Sequence, residues 1–230
     1  MKHVQLLIPA AGMGTRLGAG RPKALIDLDG VPLLVRTLER FGSLDLVRDA
    51  VIVTPPGFRA DFEQLLGAAF PGCPFYYVDG GAERQHSVEN GLSVLLPDTE
   101  LVAIHDAARP FVSGDSIRES VIAAREFGAA TVAIPSVDTI LVGDPDAFLV
   151  ETPDRSCLWA CQTPQTFQVS VIRDAHSRAR QEDHLGTDDA TLVQRMGGRV
   201  KLVMGSPLNF KVTTPGDFAL AQCVIEGGLV

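Results

Sequence analysis

A glycine-rich loop with cationic side chains follows the first apolar run of the chain. Residues 6–25 read LLIPAAGMGTRLGAGRPKAL and contain four glycines, two arginines and a lysine. Glycines let backbone N–H groups approach and wrap an anion, while Arg16 and Lys23 supply a planar fork and a point charge. Small residues directly after a buried strand, with two cations in reach, indicate a phosphate-binding loop rather than a flexible surface loop.

Two common nucleotide-binding loops do not fit this spacing. A dinucleotide fingerprint has G-x-G-x-x-G opening directly into a helix. Here three residues separate Gly14 from Gly18 instead of two, and Pro22 follows instead of a helix. A Walker A loop ends in lysine followed by serine or threonine, whereas Lys23 precedes an alanine. The spacing therefore excludes a dehydrogenase and a P-loop enzyme and leaves a loop that folds over a polyphosphate.

Alternating strand and helix patterns position this loop. The runs VQLLIP, AVIVT, FYYV, LVAIH and ATVAIP are nearly continuous in apolar residues, which is typical of strands buried on both faces of a parallel sheet. Helical periodicities lie between them. The alternation predicts a doubly wound, mostly parallel α/β sheet of the Rossmann-like type, in which ligands bind beyond the carboxyl ends of the strands. We therefore expect the loops after Pro9, Val78 and His105 on one rim.

The alternation breaks between residues 136 and 164. DTILVG and AFLVET are strand-like runs joined by GDPD, a turn composition, so we predict a β-hairpin arm over 136–164. An exposed hairpin this apolar usually buries itself against another surface. A homodimer partner is the predicted surface, and a local lid is the alternative.

Helix and strand patterns return after the arm. Thr187 and Asp188 are expected to cap a helix, VKLVMG to form a strand, and the run from Thr214 to Asp217 to form a capping box with proline at the first helical position. The chain shows no internal repeat and no low-complexity linker. We therefore predict a single domain over 1–230 with the arm as an excursion within it.

Charge and cysteine spacing limit the classes of partner. The chain of 230 residues has a formal net charge of −8, which argues against nucleic-acid or anionic-membrane binding because both need a basic face. The four cysteines lack C-x-x-C spacing, and no apolar run approaches the ~20 residues that span a bilayer. With no leader pattern at the N-terminus, we expect a cytoplasmic protein with reduced thiols.

The glycine loop and six further segments resemble one family. PAAGMGTRLGAGRPK is similar to the opening signature of nucleotidyltransferases that activate sugar or polyol phosphates, and more narrowly to the 2-C-methyl-D-erythritol 4-phosphate cytidylyltransferase family of non-mevalonate isoprenoid synthesis. The other segments follow in family order and span nearly the whole chain: DGGAERQHSVENGL (79–92), IHDAARPFV (104–112), VDTI (137–140), LWACQTPQTF (158–167), TDDATLV (187–193) and NFKVTTPGDFALA (209–221).

The resemblance implies attack of a phosphomonoester oxygen on the α-phosphate of CTP, with loss of pyrophosphate. That nucleophile is already an anion, so the reaction needs cations and positioning rather than a general base. The matching positions assign Arg16 and Lys23 to the CTP phosphates and Arg155 and Lys211 to the methylerythritol phosphate. The resemblance also implies that the arm carries Arg155 into the partner's site, which would make a homodimer obligatory.

The resemblance also supplies a nucleotide pocket. Backbone N–H groups of the glycine loop would line the triphosphate, and the DGGAERQHS segment would read cytosine through backbone groups and a hydroxyl. The positions assigned to the nucleotide are Ala10, Ala11, Gly12, Gly14, Gly81, Ala82, Ser87 and Ala107.

The HDAARP and TDDATLV segments contain the candidate residues for binding the acceptor substrate and a metal ion. Asp106 is the best acidic candidate for substrate hydroxyls or for Mg²⁺, the expected cofactor, which takes few protein ligands and several phosphate oxygens. Arg109 either touches substrate or braces its loop. Thr187 is expected near the substrate in the partner's site. For His105 we predict a structural role at the end of a strand.

Two alternatives remain open from the sequence. A ribitol 5-phosphate cytidylyltransferase shares most of these motifs and performs the same class of reaction. A non-catalytic nucleotide-binding module would tolerate loss of Lys23, Arg155 or Lys211, yet all three are present in matching context.

Overall fold

The apolar runs predicted as strands pair in one central sheet. The computed structural model describes residues 4–15, 20–42, 44 and 47–230. The strands in chain order are β1 (Val4–Pro9), β2 (Asp27–Leu28), β3 (Val31–Pro32), β4 (Val47–Thr54), β5 (Phe75–Asp79), β6 (Leu101–Ile104), β7 (Ala129–Pro135), β8 (Val142–Gly143), β9 (Leu149–Glu151), β10 (Trp159–Gln168) and β11 (Lys201–Met204).

The order of the strands confirms a doubly wound sheet. Within the described residues, the central sheet has seven strands in the order β11-β7-β10-β6-β1-β4-β5. Strands β5, β4, β1 and β6 pair in parallel, as do β7 and β11. Only β10, among these strands, runs antiparallel to both of its neighbours. Because the order reverses beside β1, the loops at the carboxyl ends of β1 and its neighbours open a crevice there.

Helices cover both faces of the sheet. They are α1 (Leu33–Gly42), α2 (Arg59–Ala69), α3 (Arg84–Ser93), α4 (Gly114–Phe127), α5 (Val169–Gln181), α6 (Asp189–Arg195) and α7 (Pro215–Glu226). Leu6 and Ile8 of β1 belong to the core cluster with α1, α2 and α4, whereas Leu7 belongs to the cluster with α3, α5 and α6. Successive residues of β1 are therefore buried on opposite faces, which explains why its sequence is apolar throughout.

Strand β10 is the largest departure from the predicted elements. Its first six residues fall inside the predicted 136–164 excursion, but Trp159 pairs with Pro135 and the strand continues between β6 and β7. The excursion from the central sheet therefore spans 136–158. Apolar patterning does not reveal β10 because Gln162, Thr163, Gln165 and Thr166 are all polar, although each is at most 4% exposed.

The predicted hairpin is present within the excursion. Strands β8 and β9 form a separate two-stranded antiparallel sheet joined by the GDPD turn. Its apolar side chains are exposed, among them Phe148 at 72%, Leu149 at 63% and Val150 at 65%. An apolar surface of this kind is typical of a surface that contacts another protein. The dimer itself stays a prediction.

The predicted α7 capping box is confirmed, and of the two residues predicted to cap α6 only Asp188 does so. Thr214 accepts from the Asp217 backbone N–H, and the Asp217 carboxylate accepts from the Thr214 N–H. At α6 the capping side chain belongs to Asp188, which accepts from the Thr191 N–H at 2.8 Å, and not to Thr187. In the part of the chain that the structure describes, no helix has the length and hydropathy to cross a membrane.

His105 has the structural role predicted for it. The ring is fully buried at the end of β6, its Nε2 donates to the Arg109 carbonyl at 3.1 Å, and its Nδ1 lies 2.9 Å from the Thr163 hydroxyl. Because a carbonyl only accepts, the proton sits on Nε2 and Nδ1 accepts from Thr163. Burial lowers the pKa of His105 to about 4, so the neutral ring joins the loop after β6 to β10.

Two glycines in helices provide a matched test of packing. A Cβ at Gly91 in α3 would lie 2.7 Å from Leu7 Cδ1, whereas a Cβ at Gly67 in α2 has no atom within 4 Å. We expect Gly91→Ala to destabilise by at least about 1 kcal/mol through overpacking. Gly67→Ala should stabilise by roughly 0.5–1 kcal/mol through helix propensity. Urea unfolding of both variants measures the change that each substitution makes in the free energy of unfolding. Equal changes would contradict the close packing of α3 on β1.

The buried neutral histidine predicts a pH dependence of stability. The unfolded chain gains a proton on His105 near pH ~6.5, whereas the folded chain does so only near pH 4. The contribution of His105 to the free energy of unfolding is therefore fully present above pH ~6.5. It decreases on acidification, by ~2 kcal/mol at pH ~5.

Urea unfolding of the wild type and His105→Gln at pH 7.5 and at pH 5 tests this dependence. The glutamine can still donate to the Arg109 carbonyl, so the variant should fold but lose the titration. We expect the stability gap between the two proteins to narrow on acidification. Parallel pH profiles would show that His105 does not carry the effect.

Candidate active site

Loops at the carboxyl edge of the sheet surround a cavity of about 280 Å³. Its walls come from the segments that follow β1, β5 and β6, together with the turn at Lys23 and the segment around Lys211. This is the rim predicted from the strand pattern. The predicted site residues that line the cavity are Ala10, Ala11, Gly12, Lys23, Gly81, Ala82, Ser87, Asp106, Ala107 and Lys211.

The glycine loop is joined to the turn that carries Lys23. The Lys23 backbone N–H donates to the Gly12 carbonyl at 2.9 Å, and a short 3₁₀ turn follows over Lys23–Leu25. Gly14 has a φ of +64°, and a Cβ there would lie 3.0 Å from Lys23 Cβ. Only glycine suits this conformation and this close approach. Gly14 therefore acts by admitting Lys23 and does not itself line the cavity, and Arg16 lies outside the described residues.

The loop after β5 packs directly against the glycine loop. A Cβ at Gly80 would lie 2.4 Å from the Ala11 Cβ and 3.1 Å from Ser87 Oγ. Ser87 Oγ accepts from the Gly81 N–H at 3.1 Å and donates to the Glu83 carbonyl at 3.0 Å. These bonds fold residues 80–87 into a tight wall of backbone groups, and recognition of a base by this wall stays a prediction.

Asp106 is surrounded by three cationic side chains. Its Oδ2 lies 3.0 Å from Lys211 Nζ and 3.3 Å from Arg109 Nε, and its Oδ1 lies 3.4 Å from Arg84 Nε. Burial would raise the pKa of the Asp106 carboxyl, but Lys211, Arg84 and Arg109 hold that pKa well below its usual range. Asp106 is therefore ionised, and the excess of cationic groups around it makes this end of the cavity suited to an anionic ligand.

Hydrogen bonds to the loop after β6 hold Lys211 beside Asp106. The Val212 N–H donates to the Ala108 carbonyl at 2.9 Å, and Thr37 Oγ1 donates to the Ala107 carbonyl at 2.9 Å. Val212 is fully buried in a cluster with Phe111 and α7. The Lys211 side chain is thus carried by a fixed segment, so little ordering remains when an anion binds.

Arg109 braces the site from outside the cavity. It donates to the Asn209 carbonyl at 2.7 Å and to the Cys161 carbonyl at 3.4 Å, besides its contact with Asp106. The side chain is 12% exposed. Of the two roles left open by the sequence, the structure supports the brace, and substrate contact by Arg109 stays a prediction.

Arg155 and Thr187 do not join the cavity within one chain. Arg155 is exposed beside the arm and donates to the Val137 carbonyl at 3.1 Å. Thr187 is exposed just before α6. Both positions are those that the family resemblance places in a partner's site, and the shared site stays a prediction.

Arg84 and Asp189 are candidate site residues that the sequence motifs do not indicate. Arg84 lines the cavity, donates to Asp106, and also donates to Asp189 Oδ2 at 2.8 Å. Asp189 is 1% exposed and its Oδ1 lies 3.1 Å from His176 Nε2. Both residues stand inside segments quoted for the family resemblance, but 105 positions separate them, and only the fold brings them together.

The arrangement can bind two anions and stabilise charge between them. Lys23 and the glycine-loop backbone face Lys211, Arg84 and Asp106 across one small cavity. No serine–histidine pair faces it among the described residues, since the buried ring of His105 is engaged by Thr163 and Arg109. Cations and backbone N–H groups without a base suit transfer of a phosphoryl-type group to a nucleophile that is already an anion.

Comparison with known proteins identifies the family. A model of the IspD family, 2-C-methyl-D-erythritol 4-phosphate cytidylyltransferase, matches residues 4–227. The protein of that name from Caldanaerobacter subterraneus subsp. tengcongensis is 43% identical over 226 residues, which cover 97% of this chain and 99% of the relative. The one from Geobacillus kaustophilus is 45% identical over 223 residues, with 97% of each chain covered.

Solved structures agree with this match. The crystal structure of 2-C-methyl-D-erythritol 4-phosphate cytidylyltransferase from Thermus thermophilus has a TM-score of 0.80 and 35% identity, covering 97% of this chain and 99% of that one. That of 4-diphosphocytidyl-2C-methyl-D-erythritol synthase from Anaerococcus prevotii has a TM-score of 0.87 at 28% identity, covering 98% and 99%. With sequence and fold in agreement over nearly its whole length, the chain belongs to the 2-C-methyl-D-erythritol 4-phosphate cytidylyltransferase family.

Proposed function

We propose that the protein transfers CMP from CTP to 2-C-methyl-D-erythritol 4-phosphate. The products are pyrophosphate and 4-diphosphocytidyl-2-C-methyl-D-erythritol, an intermediate of the non-mevalonate isoprenoid pathway. The observation that carries the proposal is the cavity in which the glycine loop and Lys23 face the cationic group around Asp106. Family membership supplies the identity of the two substrates, and the cavity supplies the means of bringing two anions together.

The chemical step is an in-line displacement at the α-phosphorus of CTP. An oxygen of the acceptor phosphate forms the new P–O bond, the bond to the bridging oxygen of the β-phosphate breaks, and pyrophosphate leaves with that electron pair. A phosphomonoester loses its second proton near pH ~6, so the attacking oxygen carries no proton to remove at neutral pH. The protein therefore contributes charge and alignment.

The cations divide between the two substrates in this proposal. Lys23 and Arg16, with the N–H groups of the glycine loop, neutralise the CTP phosphates and the departing pyrophosphate. Lys211 holds the acceptor phosphate, and Arg155 of a second copy joins it from the arm. The ionised Asp106 keeps Lys211 oriented toward the cavity and can accept from acceptor hydroxyls.

Cytosine is read by the wall of residues 80–87. The Gly81 and Ala82 backbone groups provide donors and acceptors at fixed positions, and the Ser87 hydroxyl is held between Gly81 and Glu83. The contact of Gly80 with Ala11 leaves no room to widen this wall. A purine would need that extra width, so the proposal includes a preference for a pyrimidine.

Mg²⁺ is proposed to enter with CTP, and Asp106 does not fit as its ligand. Both Asp106 oxygens already contact cationic groups at 3.0–3.4 Å, and a divalent cation there would be repelled. Among the described residues, no group of three or more His, Cys, Asp or Glu side chains is placed to hold a metal. Since Mg²⁺ readily takes phosphate oxygens and water, the triphosphate is its proposed ligand, and no step above depends on it.

We further propose that the enzyme acts as a cytoplasmic homodimer and does not bind nucleic acid. The exposed apolar arm supports the dimer, and all four cysteines are free thiols, which fits a reducing compartment. The net charge of −8 supports the absence of nucleic-acid binding.

A substrate panel tests the reaction. We expect pyrophosphate release from CTP with 2-C-methyl-D-erythritol 4-phosphate at a kcat/KM at least ~100-fold above that with ribitol 5-phosphate, because hydroxyl-reading sites discriminate strongly. Lys211→Ala should lower kcat/KM by ~10²–10³. Lys201→Ala, a surface lysine over the Phe127 ring, is the matched control and should retain turnover. Activity with ribitol phosphate alone, or a fully active Lys211→Ala, would refute the assignment.

Subunit mixing tests the shared site. Arg155→Ala keeps an intact pocket but loses the arm's cation, and Lys211→Ala keeps the arm but loses the pocket's cation. In a two-fold dimer, equal mixing of the two inactive variants should restore roughly a quarter of the wild-type activity, since half the dimers then hold one intact site. Labelled subunits must first be shown to exchange. Exchange without recovered turnover would exclude a site built from two chains.

A further inference from the structure

Asp189 lies directly behind the wall of the cavity, although it does not line it. Its carboxylate is 1% exposed, with Oδ2 2.8 Å from Arg84 Nη1 and Oδ1 3.1 Å from His176 Nε2. Burial would raise the pKa of Asp189, but Arg84 and His176 hold that pKa below its usual range. A buried, ionised carboxylate therefore faces Arg84, a cavity cation that contacts two carboxylates, Asp106 and Asp189.

Arg84 is held at both ends of its guanidinium. Nη1 donates to Asp189 Oδ2, and Nε lies 3.4 Å from Asp106 Oδ1. An unrestrained arginine has ~2 kcal/mol of rotamer entropy to lose, and a planar fork fixed between two carboxylates has already lost most of it. Burial would lower the pKa of Arg84, but Asp189 and Asp106 raise it above its ordinary value, so the charge is permanent.

The element that carries Asp189 is rigid. Asp189 begins α6, and the Asp189 and Ala190 N–H groups both donate to Gln165 Oε1 at 3.1 Å. Gln165 is fully buried in β10. The position of the Asp189 carboxylate is therefore set by the central sheet and not by the cavity loops.

We propose that Asp189 is a positioning residue for CMP transfer, acting through Arg84. By holding Nη1, it leaves Arg84 only one contact with Asp106, at Oδ1, so that Oδ2 stays available to Lys211. Without Asp189, Arg84 would be free to take both Asp106 oxygens as a bidentate pair and displace Lys211 from the place where it meets the acceptor phosphate. This role rests on the function proposed above.

The proposal predicts a defect in the use of the acceptor rather than of CTP. In Asp189→Asn we expect kcat/KM for 2-C-methyl-D-erythritol 4-phosphate to fall at least ~10-fold, since small displacements of positioning groups are costly. The Kd for CTP, measured by calorimetry, should change less than ~3-fold because Lys23 and the glycine loop are untouched. In an Arg84→Gln background, Asp189→Asn should cause little further loss of kcat/KM, because both substitutions disrupt the same interaction between Asp189 and Arg84.

Asp49→Asn is the matched control for the loss of a buried carboxylate. Asp49 is 5% exposed near the amino end of β4, away from the cavity, and accepts from Gln5. The Asp49→Asn substitution should lower the unfolding temperature without changing the KM for the acceptor. If Asp189→Asn does not fold, Asp189→Glu, which keeps the charge but moves it, should show a raised acceptor KM.

Wild-type turnover separates the two levels of the proposal. Absence of turnover with the acceptor would refute the proposed function and this role with it. An active wild type with unchanged acceptor kinetics in the folded Asp189 variant would overturn the positioning role alone. Additive losses in the double variant, or an equal defect in Asp49→Asn, would also overturn it.

Discussion

The buried carboxylate of Asp106 is the charge around which the candidate site is organised. Three cationic side chains converge on it from α3, from its own loop and from the segment before α7. Attraction to this one buried carboxylate thereby offsets the free-energy cost of desolvating cations that would otherwise repel one another. The cluster keeps an excess of positive charge at the rim of the sheet, which allows a protein of net charge −8 to receive anionic ligands.

The sheet determines where these charges meet. Strands β1, β5 and β6 end at the same edge because they are parallel, and the loops after them supply the glycine loop, the wall of residues 80–87 and Asp106 respectively. The antiparallel strand β10 has a different role. Its buried Gln165 fixes the start of α6, and its Thr163 hydroxyl accepts from the Asp106 N–H at 3.1 Å. Polar residues inside this strand thus orient the groups behind the cavity.

Apolar periodicity was sufficient to predict the parallel strands and the edge at which the loops meet. It fails for β10 because, although Phe167 lies in an apolar core cluster, the buried glutamines and threonines of the strand are held by side-chain hydrogen bonds. The local sequence also does not decide between Thr187 and Asp188 at the start of α6, since both are good capping residues and only the backbone conformation selects Asp188. Local patterns do not distinguish between two adjacent residues of similar propensity.

The site was predictable where chemistry follows from residue type within one segment. Lys23 and Asp106 were found in this way. The contact of Arg84 with Asp189 was not, because it joins residues 105 positions apart and neither residue is unusual in its own segment. Arg155 and Thr187 lie outside the cavity of the single chain, and their place in a partner's site belongs to the proposed function.

The packing of Gly80 against Ala11 has a consequence for any change of nucleotide preference. With 2.4 Å between the Ala11 Cβ and the place of a Gly80 Cβ, the loop proposed to recognise the base and the loop proposed to wrap the phosphates are packed as one unit. A larger side chain on either loop would move both. Altering base selection in this scaffold therefore requires paired substitutions across the two loops, and variation at these two positions among homologous enzymes should be correlated.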